Sequence, residues 1–188
     1  MGLIFAFSFS NVSWADRMPE KIVVMGQDLR LKYQEGDAQK GFIAEYIPQT
    51  ETWDNWKLLF AVRFFPSKNV DLASIGQEVM ANIAKKRKEG DPIANGRAFR
   101  NVKESSIAVD FLISSLGTPV EELFYEHNVF IYSNTPKGIV SYQIARRVYD
   151  KVDSDDVINK FITDIPSLVP QMMMELCSPP TKPPFNIE

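Results

Sequence analysis

Between Glu121 and Tyr149 the chain alternates apolar and polar residues on both sides of Asn134-Thr135-Pro136-Lys137-Gly138. That period of two predicts one long antiparallel β-hairpin, turned by a cluster that ends in a permissive glycine. With Ser133 opposite Gly138, one face carries Leu123, Tyr125, His127, Val129 and Ile131 against Val148, Arg146, Ile144, Tyr142 and Val140. Its apolar majority marks it as the core face. The other face carries Phe124, Glu126, Asn128, Phe130 and Tyr132 opposite Arg147, Ala145, Gln143, Ser141 and Ile139, with Glu126 diagonal to Arg147. As a surface ion pair, that contact is worth about 0 to 1 kcal/mol. The aromatic residues here predict that this face too is partly covered, as in a sheet with helices on both sides.

The same reading gives the remaining elements. Lys21 to Tyr33 predicts two short strands around Gly26-Gln27-Asp28, and Gly41 to Ile47 a third that Pro48 closes. After a polar loop from Gln49 to Asn55, Trp56 to Phe65 is apolar on both faces and belongs in the sheet interior. Asp71 to Glu89 predicts a helix: Leu72, Ile75, Gly76, Val79, Met80, Ile83 and Ala84 share one face, Asp71 caps the start and Gly90 stops it. Ile93 to Lys103 and Ser106 to Ser115 read as strands, and Gly117-Thr118-Pro119 turns the chain into the hairpin. A second helix starts at Asp153-Ser154-Asp155-Asp156; Pro166 and Pro170 predict a kink or a new short helix within it. Residues 177–188 hold four prolines and are expected as an extended tail.

Strands, helix, strands, helix, with short connections, predict an α+β fold: one antiparallel sheet packed by helices, an α/β/α sandwich within a single domain over residues 16–176. This order resembles the PsbP-like architecture of small exported or lumenal accessory proteins. The resemblance covers most of residues 21–176 and rests on order, so it carries over no metal ligand and no active-site residue. The stretch from Tyr46-Ile47-Pro48 to Trp53-Asp54-Asn55-Trp56 is similar to one in uncharacterised exported bacterial proteins, which implies a compartment and no activity.

The compartment also has its own evidence. Gly2 to Phe9 is apolar apart from Ser8, and Ser13-Trp14-Ala15 places small residues where a signal peptidase reads, which predicts a signal peptide over residues 1–15 and an exported, periplasmic or secreted, protein. No Lys or Arg precedes the run, and the alternative is a buried first strand. The run is far shorter than the roughly 20 residues of a membrane span, so no stable span is expected. A net charge of −3 gives no basic field for nucleic acid. The single cysteine, Cys177, cannot form an internal disulfide.

Candidate chemistry is sparse. His127 is the only histidine, so no zinc cluster is visible, and no phosphate loop, nucleophile elbow or dinucleotide fingerprint occurs; no cofactor or metal is expected. A lone mid-strand histidine reads first as a packed, hydrogen-bonded core residue and second as a general base. Trp53 and Trp56, beside Tyr46, are the candidate interface anchors, set against a reading in which Trp56 begins a buried strand and Trp53 pins the loop. Arg146, on a mostly apolar face, either reaches the sheet rim or meets a carboxylate such as Asp110 or an anionic ligand. Lys85 to Lys88 read as a solvated last helical turn.

The leading expectation is therefore a non-catalytic exported protein acting on a protein partner or in assembly, with Tyr46, Trp53, Trp56, His127 and Arg146 as its binding residues. The alternative is a pocket between helix and sheet for a small apolar or anionic ligand, lined by adaptable side chains such as Met80, Met172, Met173 and Met174. A hydrolase is the least favoured reading.

Overall fold

The computed structural model describes residues 18–66, 71–101, 105–116 and 123–185. The leader, the Gly117-Thr118-Pro119 turn and the end of the strand expected to reach Lys103 lie outside them. Two four-stranded meanders abut: β1 (Lys21–Val24), β2 (Gln27–Asp37), β3 (Gly41–Pro48) and β4 (Leu58–Phe65), then β5 (Asn95–Asn101), β6 (Ser106–Ser114), β7 (Phe124–Thr135) and β8 (Gly138–Tyr149). Each meander is followed by a helix, α1 (Leu72–Lys88) and α2 (Asp155–Cys177). The order across the eight-stranded sheet is β1-β2-β3-β4-β8-β7-β6-β5, antiparallel throughout. The short apolar strand β4 and the hairpin strand β8 are its centre, as an apolar run on both faces requires.

The two helices lie on opposite faces. On α1, Leu72 and Ile75 pack with Ile107, Tyr132 and Ile139. A Cβ added at Gly76 would strike Ile107 Cδ1, so the glycine sets how closely this helix approaches β6. Asp71 caps α1 by accepting from Ala73 N at 3.1 Å. On the other face, Met172 and Leu176 of α2 close over the main core, which includes Leu29, Tyr46, Phe60, Val62, Phe64 and Ile144.

The hairpin register departs from expectation by two residues. Thr135 rather than Ser133 opposes Gly138, so only Pro136 and Lys137 form the turn, and Thr135 Oγ1 accepts from Gly138 N at 3.1 Å while donating to Gly138 O at 3.0 Å. A slip of two preserves which residues share a face and changes every partner. His127 now faces Arg146 instead of Ile144, and Glu126 faces Arg147 directly. That ion pair is also not at the surface. Its side chains are 17% and 12% exposed, and the Arg147 guanidinium lies between the Trp56 and Phe124 rings, 4.0 and 3.9 Å from their centroids.

Two other expectations are corrected. No new short helix starts at the prolines: α2 is one helix through Pro166 and Pro170, because its buried face of Ile158, Phe161, Val169, Met172 and Leu176 outweighs the hydrogen bonds the prolines forfeit. The tail also returns to the core. Phe185 inserts edge-on against Phe42 and Phe64, with centroids 5.7 and 4.9 Å away.

Candidate functional site

Because α2 packs mainly on β7 and β8, meeting β6 at Leu112, while α1 packs on β5 and β6 from the opposite side, the α2 face of β5 and β6 is only partly covered. A cleft of about 330 Å³ opens there, walled by Ile162, Ile165 and Pro166 of α2 and by Ile93. The loop after α1 holds Ile93 in place. Gly90 takes φ +111°, and the fully buried Asp91 carboxylate accepts from Ile93 N at 3.3 Å, from Ser114 N at 2.7 Å and from Ser114 Oγ at 2.8 Å.

The floor of the cleft is charged. Arg97 on β5, Asp110 on β6 and His127 on β7 share the α2 face through the register that pairs Arg97 with Asp110 and Leu112 with His127. Arg97 Nε donates to Asp110 Oδ2 at 2.7 Å, and Asp110 Oδ1 lies 2.7 Å from His127 Nε2. Burial pushes the Asp110 carboxyl up, but hydrogen bonds and charge from His127 and Arg97 outweigh it and hold it below the ordinary carboxylate value. Asp110 is therefore an acceptor at neutral pH, which makes His127 Nε2 the donor between them.

His127 Nδ1 has no partner. Among the described residues, buried side-chain atoms without a hydrogen bond are Gln34 Oε1, Ser141 Oγ and His127 Nδ1, and only His127 lines one of the described cavities. An unpaired polar atom in a wholly buried residue costs on the order of 1–3 kcal/mol, so it marks a position where a ligand atom would be stabilising. The cleft lining includes no serine, threonine or cysteine to serve as a nucleophile beside the Asp110–His127 pair.

The expected binding residues divide among several places. Arg146 is next to His127 on β8, with its guanidinium 5.7 Å above the Phe161 ring; burial lowers its pKa and Asp164 pulls it back up. It is Arg97, not Arg146, that meets Asp110. Tyr46 is fully buried, donates its hydroxyl to Pro19 O at 3.0 Å and has its pKa raised by burial. It has no exposed surface with which to make a contact. Trp56 packs with Ile47, Leu59, Ala61 and Ala145 on the opposite face from the cleft. Trp53 alone of the two tryptophans is exposed, at 43%, in the loop between β3 and β4.

Sequence reasoning set out His127 and Asp110 on adjacent strands but did not bring in Arg97. The available signal was a carboxylate at an inward position of the otherwise apolar run Ile107 to Ile113, which demands a cation on a neighbouring strand. Met172 is core, Met173 packs beside it and Met174 is 68% exposed, so none of the three lines the cleft. Among the described residues no group of three or more His, Cys, Asp or Glu could hold a metal, and no helix is long and apolar enough to cross a membrane.

Residues 17–177 match one protein-family model, and the chain belongs to that uncharacterised family. No curated protein and no solved structure matches it.

Proposed function

We propose that this is a non-catalytic binding protein whose ligand is a small, largely apolar molecule with a polar head, held in the cleft between α2 and strands β5 and β6. The unpartnered Nδ1 of the buried His127 carries the reading. A head group that hydrogen-bonds Nδ1 and accepts from the half-exposed Arg97 guanidinium completes the floor, while Ile93, Ile162 and Ile165 take up the apolar part.

Native mass spectrometry of protein isolated under mild conditions tests this. A co-purifying mass is expected in the wild type and is lost in Ile165→Trp, which fills the cleft from the α2 wall without touching the charged floor. A wild type that carries no adduct and acquires none from a panel of alcohols and amides would defeat the proposal.

Contact with a protein partner is a second reading, favoured by the loop end of the sheet. Trp53 is 43% exposed, and Val152 of the β8–α2 connection and Val157 in the first turn of α2 are 70% and 44% exposed. The Lys57 to Asp153 ion pair at 2.7 Å ties the two segments together. A Trp53→Ala variant that captures the same partners as the wild type would remove this reading. A PsbP-like arrangement and export through a leader cut after Ala15 belong to the proposal as well, supported by the element order and by the apolar run from Gly2 to Phe9.

A further inference from the structure

The floor of the cleft offers a ligand hydrogen-bond donors. Asn95 and Arg97 alternate along β5 and lie on the same face as Asp110, Leu112 and His127, because Asn95 pairs with Leu112 and Arg97 with Asp110. Both line the cleft and both are exposed. Among the described residues the Arg97 guanidinium meets a hydrogen-bond acceptor only through Nε, so its Nη groups keep their N–H bonds free. Asn95 Oδ1 accepts from Gly96 N at 2.9 Å, which leaves the amide Nδ2 as the group it can turn to a ligand. The Asp110 oxygens are already engaged, Oδ2 by Arg97 and Oδ1 by His127. A head group made only of acceptors suits such a floor, and a planar pair of oxygens suits the two Nη groups.

The charges around His127 point the same way. Arg146 pairs with it from β8 and, among the described residues, has no hydrogen bond and no ion pair; its guanidinium rests on the Phe161 ring. From α2, Asp164 acts on Arg146 but is itself paired with Lys160 at 2.8 Å. From the loop after α1, the buried Asp91 is committed to Ser114 and Ile93. Burial and the nearby carboxylates raise the Tyr125 pKa, so that hydroxyl stays neutral. Two guanidinium groups, Arg97 and Arg146, therefore stand around the single carboxylate of Asp110. One positive charge is left over, in a site whose apolar walls weaken screening.

We infer that the ligand's polar head is a single carboxylate, held by Arg97 and Asn95, and that its binding places a solvent proton on His127 Nδ1. This rests on the cleft as the binding site and adds the charge of the head and its linkage to pH. Nε2 already gives its proton to Asp110, so a neutral imidazole would present a lone pair to the incoming carboxylate. A proton on Nδ1 replaces that repulsion with a charge-assisted hydrogen bond and sets an imidazolium between two carboxylates. Asp110 is held below the ordinary carboxylate value and the two arginines keep their charge, so the imidazole is the group on this floor that changes state. Binding that takes up a proton weakens as pH rises.

Calorimetric titration of the full chain with hexanoate and with hexan-1-ol, in two mildly alkaline buffers of different ionisation enthalpy, reads affinity and proton uptake together. The wild type is expected to bind hexanoate about tenfold more tightly than the alcohol, the margin of charge-assisted over neutral hydrogen bonds. Proton uptake should accompany hexanoate alone. His127→Gln, which keeps a donor for Asp110 and cannot titrate, should abolish the uptake. Arg97→Gln, at an exposed position on the edge strand, should bring hexanoate down to the affinity of the alcohol, and it guards against a folding defect in the buried variant. An alcohol that binds as tightly as hexanoate, or a hexanoate preference without proton uptake, would overturn the carboxylate inference while leaving the cleft standing. Failure of both to bind, or binding of both unchanged in Ile165→Trp, would overturn the cleft as well.

Discussion

Replacing Asp110 by Asn keeps the shape of the cleft floor and removes its only negative charge, so it measures what that charge contributes. The Asp110 side chain is 7% exposed and takes one hydrogen bond from Arg97 and one from His127, each at 2.7 Å. Hydrogen bonds to charged groups contribute about 1.5–3 kcal/mol each. The amide oxygen of Asn still accepts from Nε2, and the released Arg97, 54% exposed, regains much of its hydration. The two bonds therefore are not lost in full, and a net cost of about 1.5–3 kcal/mol at neutral pH follows. The sign of its pH dependence is fixed by the direction of the shift. Burial alone would raise the Asp110 pKa, yet the His127 and Arg97 contacts leave it lowered. A depressed carboxyl contributes stability that is complete above the unfolded value near about 3.9 and is lost as pH falls through the folded one. Urea midpoints for the wild type and Asp110→Asn should thus be well separated near neutral pH and converge under acid conditions. A gap that stays constant down to acid pH, or no gap at neutral pH, would refute the assignment.

Other consequences are direct. Phe185→Ala should cost about 3 kcal/mol in urea denaturation, since the ring packs on Phe42 and Phe64; an effect under about 0.5 kcal/mol would mean the tail does not hold this position in solution. A Cβ at Gly138 would overlap the Phe65 carbonyl oxygen and press on Pro66 Cα at 3.0 Å, so Gly138→Ala should destabilise by about 1–3 kcal/mol, read as a lowered melting temperature. Trp56→Ala should cost about 3–5 kcal/mol and Trp53→Ala within about 0.5 kcal/mol, a contrast that urea titration monitored by circular dichroism resolves. Intact-mass measurement on protein from its native host should give a chain beginning at Asp16 if the leader is cut as proposed.

Much of the fold was legible because it rests on short-range signals. The helix from Leu72 to Lys88 announced itself by its spaced apolar residues, its Asp71 cap and Gly90, and the alternation in β6, β7 and β8 assigned each residue to a face. What failed were choices between local patterns of equal quality. A turn over Asn134 to Lys137 and a tighter one over Pro136-Lys137 serve the same faces, and the choice is made by the Thr135 hydroxyl bridging Gly138 and by the fit of Gly138 under β4. The first hairpin shows the same limit. Its turn is Met25-Gly26, both at positive φ, one residue earlier than the Gly26-Gln27-Asp28 signal suggested. Proline in α2 and the returning Phe185 are tertiary overrides, since the burial that stabilises them belongs to partners far away in the chain.

The site was less legible because its meaning depends on which polar groups find partners. The sheet carries two polar networks, one on each face. On the α1 side, Arg63 donates to Glu45 and Gln143, Gln143 donates to Asn128, Asn128 donates to Glu126, and Glu126 accepts from Arg147. That chain of contacts joins charged groups at both ends and accounts for each of its members, as a structural network must. On the α2 side, the line from Arg97 through Asp110 stops at His127 with Nδ1 unfilled and a cleft beside it. A protein selected for stability alone gains by replacing such a line with apolar residues, because burying charge in this way often costs more than its contacts return. The two networks thus differ in one respect that bears on the proposal: the named contacts of the first run between charged groups at both ends, while the second ends at His127 Nδ1, the atom that the proposed ligand would satisfy.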